Sequence, residues 1–227
     1  MNKFREKLDV LIPKYARLPL IVLIIVNFVE YYVPKLIEPY RSDLHTLSTA
    51  FDDKLPWVPE FIFIYVLAYV QWIVGYIVIA RESRERCYKV LTGVMVAKVI
   101  TMIIFLAYPT TLLRPEVKVT GFTTFLTAFI YSMDTPTNLF PSPHCFDSWF
   151  CFRGAIGLKK TPKWYVWAQF FMTLLVFASV LLVKQHVWYD VVGGIAVAEA
   201  GQLISDLIHA DGIWYKRDKK KGTDTDL

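Results

Sequence analysis

The sequence predicts an all-α, polytopic membrane protein, a bundle of six transmembrane helices with a long extracytoplasmic connection between the third and fourth. Three observations point there. Of 227 residues, 55% are hydrophobic and 16% aromatic, far from a soluble composition. Apolar stretches close to the roughly 20 residues that a bilayer core demands of a helix recur along the chain. Basic residues gather in short clusters between those stretches rather than on one stripe, so the formal charge of +5 reads as orientation in a bilayer, and nucleic acid is not an expected partner.

The N-terminal MNKFREKLDVLIPKYAR spreads its charges and has no small-residue cleavage site before the first apolar run, so it reads as a retained tail, not a removed signal peptide. Spans are expected at 18–37, 59–80, 90–108, 144–158, 164–183 and 187–208. The fourth is short and carries Asp147 and Arg153, which would be costly against lipid, so other helices must enclose it. The 109–143 connection is too long for an ordinary loop. Within it, GFTTFLTAFIYSM has the character of an interfacial helix ahead of the Pro-rich DTPTNLFPSPH.

With six spans, four basic clusters fall on one side: Lys3 to Arg17, Arg81 to Lys89, Lys159 to Lys163 and Lys216 to Lys221. The positive-inside rule then makes both termini cytoplasmic in a multi-pass cell-membrane protein. No repeat or linker divides residues 1–227, and 210–227 reads as a flexible, basic cytoplasmic tail. Cys87 lies in a basic connection, and Cys145 and Cys151 would not face each other on a helix, so neither a disulfide nor a metal site is expected. Trp57, Trp149, Trp164, Trp188 and Trp214 fall near span ends, where interface anchoring is the default.

The chemistry-bearing residues converge on the other membrane face. In SVLLVKQHVWYDVVGG, His186 precedes Asp190 by four residues, so on a helix the carboxylate can hold one imidazole nitrogen and leave the other free. The expected topology brings His144, at the start of span four, and Arg114, in the outer connection, to the level of His186. Three reactive groups distant in sequence thus meet.

Arg114-Pro115, then Pro141-Ser142-Pro143-His144, then His186 with Asp190 resemble the three signature blocks of the type-2 phosphatidic acid phosphatase superfamily, in order, over roughly residues 107–194. The family patterns are Lys, six residues, Arg-Pro; Pro-Ser-Gly-His; and Ser-Arg, five residues, His, three residues, Asp. The chain departs from them at Ala107 for the first Lys, Val180 for the Arg after Ser179, and Pro143 for Gly. Lys184, two residues before His186, is a candidate replacement for one lost cation. Similar erosion occurs in the related inositol phosphorylceramide and sphingomyelin synthases.

The resemblance implies displacement at a lipid phosphate. That reaction needs a nucleophile, a proton donor for the leaving alkoxide, and cations or N–H groups on the phosphate oxygens. His186 is the expected nucleophile, forming a phosphohistidine, with Asp190 orienting its ring. His144 is the acid and then the base. Arg114, Lys184, Ser142 and the N–H groups opening span four are the expected phosphate site. No cofactor is needed. Lys98, Arg153 and Glu199 lie roughly 13 to 20 Å deep, where charges pair, and a buried ion pair of Glu199 with Arg153 or Lys98 is expected. Asp147, one turn from His144, is placed to tune it.

Three functions remain open: a phosphatase acting on a lipid phosphate or polyprenyl pyrophosphate, a lipid phosphotransferase, and a non-catalytic transporter or scaffold. The partners expected are a lipid phosphate substrate and membrane lipids, with a homodimer left open.

Overall fold

The computed structural model describes residues 9–220. The expectations for Lys3, Arg5 and Lys7, and for the tail from Lys221 on, lie outside the described residues. Helix α1 is Lys14–Ile37. Strand β1, His45–Thr46, and the one-turn α2, Ala50–Lys54, lead to α3, Ile62–Glu82, and α4, Arg84–Ala107. Then come β2, Thr110–Thr111, and α5, Phe122–Met133. The chain continues through α6, Pro143–Ala155, α7, Trp164–Leu182, α8, Trp188–Leu207, and α9, Ala210–Lys220.

This is a largely helical protein of membrane type. Helices α1, α3, α4 and α7 are long and apolar enough to cross a membrane, and the bent pair α8 and α9 makes a fifth crossing if taken as one. Their outward faces are apolar: Ile24 and Phe28 on α1, Ile73 on α3 and Trp167 on α7 are each more than half exposed, which suits lipid and not water. The expected fourth span is the 13-residue α6, about 20 Å long and short of the roughly 30 Å core. It is enclosed, with nine buried residues including Asp147, and packs on α3, α4, α7 and α8.

Helices α4 and α8 share the most intimate contact, because Gly201 has no Cβ. A Cβ there would stand 2.5 Å from the Gly93 carbonyl oxygen, so the backbones touch. One end of the bundle gathers the basic connections: the Tyr15 hydroxyl donates to the Ala80 carbonyl, Arg86 to the Ile156 carbonyl, and the Lys160 N–H to Glu82. The opposite end gathers the connections that carry the motif residues. There β1 and β2 pair in parallel, His45 with Thr110 and Thr46 with Thr111. His45 stacks on Tyr108 with ring centroids 4.2 Å apart.

Three expectations differ from the structure. The segment expected to be a flexible tail is helical over Ala210–Lys220 and packs on α4: the Trp214 indole donates to Thr92, and Tyr88 to the buried Asp218. Trp214 is therefore a packing residue more than an anchor. Cys87 is fully buried inside α4. The buried ion pair involves different partners: Lys98 is 2.9 Å from Asp147 and 3.8 Å from Glu30, while Arg153 and Glu199, 3.0 Å apart, are nearly half exposed. Distance along a span set the expected depth of Arg153 and Glu199, and the outward faces of α6 and α8 set their exposure.

Candidate active site

His186 closes the turn between α7 and α8. The C-terminal carbonyls of α7 are answered by that turn, since the Gln185 and His186 N–H groups both donate to the Val180 carbonyl, at 2.9 and 3.0 Å. Lys184 adopts φ 52° to make the reversal. Asp190 sits one turn into α8. Its Oδ2 accepts the Val187 N–H at 3.0 Å and lies 3.1 Å from His186 Nδ1. This bond turns Nδ1 toward the carboxylate and leaves Nε2 as the free ring nitrogen. The Asp190 carbonyl accepts the Ser142 N–H at 3.0 Å, which ties α8 to the start of α6.

His144 is the second residue of α6. Ser142 is the N-cap, its Oγ accepting the Cys145 N–H at 3.4 Å, and Pro143 occupies the first turn, where a missing N–H costs nothing. Gly194 lets the helix starts approach, because a Cβ would stand 2.9 Å from the Ser142 carbonyl oxygen. Ring centroids of His144 and His186 are 6.4 Å apart. His144 lies in an aromatic cage from α3: Tyr65 stacks on it at 4.0 Å, and Tyr69 and Trp72 meet it at 5.3 and 4.8 Å. Its Nε2 is buried and without a partner. Sequence reasoning missed this cage, although spacings of four and three place residues 65, 69 and 72 on one helix face.

Arg114 reaches the same place from the 109–143 connection. Its Nη1 donates to the Asp134 carbonyl at 2.6 Å, its Nη2 to the Gln185 side chain, and its guanidinium packs over Tyr131 at 4.9 Å. Burial pulls its pKa below the ordinary value and the Asp134 carboxylate pushes it back, so the guanidinium keeps its charge. Thr110 fixes the rest of the connection, its hydroxyl accepting the Leu139 and Phe140 N–H groups at 2.9 Å each.

Lys184 lines the cavity that Arg114 and His186 line. Its ammonium donates to the Asp52 and Leu55 carbonyls, both at 2.8 Å, so it tethers the α2 loop. Asp52, which sequence reasoning missed, accepts the Trp188 N–H at 2.9 Å and the Thr49 N–H at 2.9 Å, and so pins that loop to the start of α8. Trp188 points its indole N–H at Thr49. Asp147 bonds Lys98 and the Tyr76 hydroxyl and is not paired with His144.

Two cavities meet at His186. One, of about 440 Å³, is rich in aromatic rings and runs between α1, α3, α5 and α6, with His144 and His186 in its wall. The other, of about 560 Å³, carries the charged groups Asp52, Arg114 and Lys184 beside His186. Among the described residues, no group of three or more His, Cys, Asp or Glu side chains is arranged to hold a metal ion. The arrangement offers an oriented imidazole, a second imidazole with a free buried nitrogen, and a fixed guanidinium around one point. Those are the parts that displacement at an anionic centre requires.

A family model described as the PAP2 superfamily matches residues 46–204, more than half of the chain. Comparison with curated proteins finds no match, and comparison with solved structures finds none.

Proposed function

The chain belongs to the PAP2 superfamily, and from that premise we propose that it is a six-span membrane lipid phosphatase that hydrolyses a lipid phosphate or polyprenyl pyrophosphate at the extracytoplasmic face. The observation that carries this reading is the pairing of the Asp190-held His186 with the buried, unpartnered Nε2 of His144 across 6.4 Å between ring centroids. A phosphoryl group fits between two such rings.

In the proposed reaction, His186 Nε2 attacks phosphorus, the bond to the lipid oxygen breaks, and His144 gives that oxygen its proton. Water then attacks the phosphohistidine, His144 takes the water proton, and the N–P bond breaks to release phosphate. Asp190 balances the charge that appears on the His186 ring. Arg114, held by Gln185 and the Asp134 carbonyl, presents N–H donors to the equatorial oxygens. Ser142 acts through its cap, by setting the start of α6 and with it His144. Lys184 is a tether, its charge adding to the field at a distance.

Transfer of the phosphoryl or head group to an alcohol instead of water is the second reading, favoured by Ala107 and Val180 where the family carries cations. Phosphate release by the purified protein from a panel of lipid phosphates, with no acceptor added, tests the first. Head-group exchange without phosphate release would overturn it in favour of the second. Full activity of His186→Ala toward every substrate of the wild type would overturn both.

A further inference from the structure

Two carboxylates in the lining of the aromatic cavity, Glu30 and Asp147, belong to a cluster of buried charge. Lys98 Nζ is 2.9 Å from Asp147 Oδ2 and 3.8 Å from Glu30 Oε2, and none of these side chains is more than 4% exposed. Two carboxylates therefore share one ammonium. Asp147 is satisfied, with Lys98 on Oδ2 and the Tyr76 hydroxyl on Oδ1. Glu30 is not. Its Oε2 is beyond hydrogen-bond range of Lys98, and its Oε1 is buried with no partner.

A buried carboxylate oxygen without a donor is costly, and so is an excess negative charge in an aromatic pocket. A cation with N–H donors arriving from outside the chain would relieve both costs at once. The surroundings suit that ligand. Glu30, Tyr31, Tyr69, Trp72 and Asp147 all line the cavity that His144 and His186 line, and aromatic faces receive ammonium groups. Asp147 stands three residues from His144, about 4.5 Å of helix rise. An amine a few bonds from a phosphate spans a separation of that order. Glu30 lies on α1, outside residues 46–204 that match the family model.

We propose that Glu30 forms a subsite for a primary ammonium group carried by the lipid, which makes a long-chain amino-alcohol phosphate the preferred substrate over a diacyl phosphatidate. The inference rests on the reading of His144 and His186 as the pair that processes phosphate. Glu30 accepts the N–H, Lys98 stands beside Glu30 on its other side, and the phosphate lies toward Arg114.

The test compares kcat/KM for phosphate release from sphingosine 1-phosphate, its N-acetyl derivative and phosphatidic acid, using the full chain in detergent micelles. The wild type is expected to favour the free amine over its N-acetyl derivative by about 10- to 100-fold, the size of a hydrogen bond to a charged group. Glu30→Gln is expected to bring that ratio close to one. An unchanged ratio in Glu30→Gln, or no preference in the wild type, overturns the subsite. Phosphatidylethanolamine, whose amine lies beyond the phosphate, separates the sources of the ammonium: Glu30-dependent release of phosphoethanolamine would overturn assignment of the amine to the lipid backbone.

Should Glu30→Gln fail to fold, binding to the wild type decides. A long-chain primary amine is expected to quench tryptophan fluorescence at about tenfold lower concentration than the alcohol of equal length. Equal concentrations overturn the proposal. Hydrolysis of phosphatidic acid with no amine preference defeats the subsite alone, whereas hydrolysis of no lipid phosphate, with the binding preference intact, defeats the phosphatase reading alone.

Discussion

Asp190 uses one carboxylate oxygen for two bonds: Oδ2 lies 3.1 Å from His186 Nδ1 and accepts the Val187 N–H at 3.0 Å. The oxygen that caps α8 is therefore the oxygen that sets the tautomer of the ring. Asp190→Asn keeps a cap, because the amide oxygen still accepts the Val187 N–H, but it loses the negative charge behind the imidazole. Phosphate release is expected to fall by about 100-fold or more, with melting temperature changed little. Equal losses of activity and stability would show Asp190 to be only a cap.

Gln185 has its oxygen on Arg114. Gln185→Leu leaves the guanidinium charge and removes its alignment, so KM for a lipid phosphate is expected to rise about tenfold while kcat moves less. Arg114→Lys keeps charge without the fork and is expected to lose about 100-fold in kcat/KM. Steady-state kinetics on both variants measures the difference.

Lys184 bonds two carbonyls of the 52–55 segment. Lys184→Met is expected to speed amide exchange in residues 49–57 and to lower stability by about 1 to 2 kcal/mol, with kcat/KM falling less than tenfold. A loss of 1000-fold without faster exchange would instead make its ammonium a phosphate ligand.

Lys98 and Asp147 are both almost fully buried, whereas Arg153 and Glu199 are nearly half exposed. Asp147→Asn removes the nearer of the two carboxylates on Lys98 and leaves Glu30 at 3.8 Å, so it is expected to cost about 1.5 to 3 kcal/mol, the size of a hydrogen bond to a charged group. Arg153→Gln is expected to cost less, since Glu199 keeps the Trp149 indole N–H as a donor. Thermal unfolding in detergent ranks the two.

Gly194 meets the Ser142 carbonyl oxygen across the junction of α6 and α8. Gly194→Ala must push the helix starts apart, and a displacement of a few tenths of an ångström reaches both histidines. Activity is expected to fall by about 100-fold with a smaller loss of stability. Paired kinetic and melting measurements check this.

Much of the helical layout was legible because lipid-facing apolar runs are long and uninterrupted, as in α1, α3, α4 and α7. The helix in the 109–143 connection was legible for the same reason, as α5. Helix α6 was the hard case, since an enclosed helix need not match the thickness of a bilayer. At the site, spacing alone brought Asp190 to His186, and alternation of the chain brought His144 near. Other features depend on side-chain direction across helices, which no local pattern encodes. The Lys98 partners Glu30 and Asp147 come from α1 and α6, and the anchors of Lys184 are backbone carbonyls with no sequence signature. Trp149, expected as an interface anchor, donates to Glu199 at 2.8 Å, a contact set by packing of α6 on α8.

His186 belongs to the walls of both the aromatic cavity and the one that holds Arg114 and Lys184. Under the proposed reaction, the two products then leave by separate doors, the lipid alcohol sideways among its neighbours and the phosphate ion into water. Their back-pressure would be counted in different units. Inhibition by phosphate would follow its concentration in the bulk solution, while inhibition by the alcohol would follow its mole fraction in the bilayer and be insensitive to dilution of the vesicles.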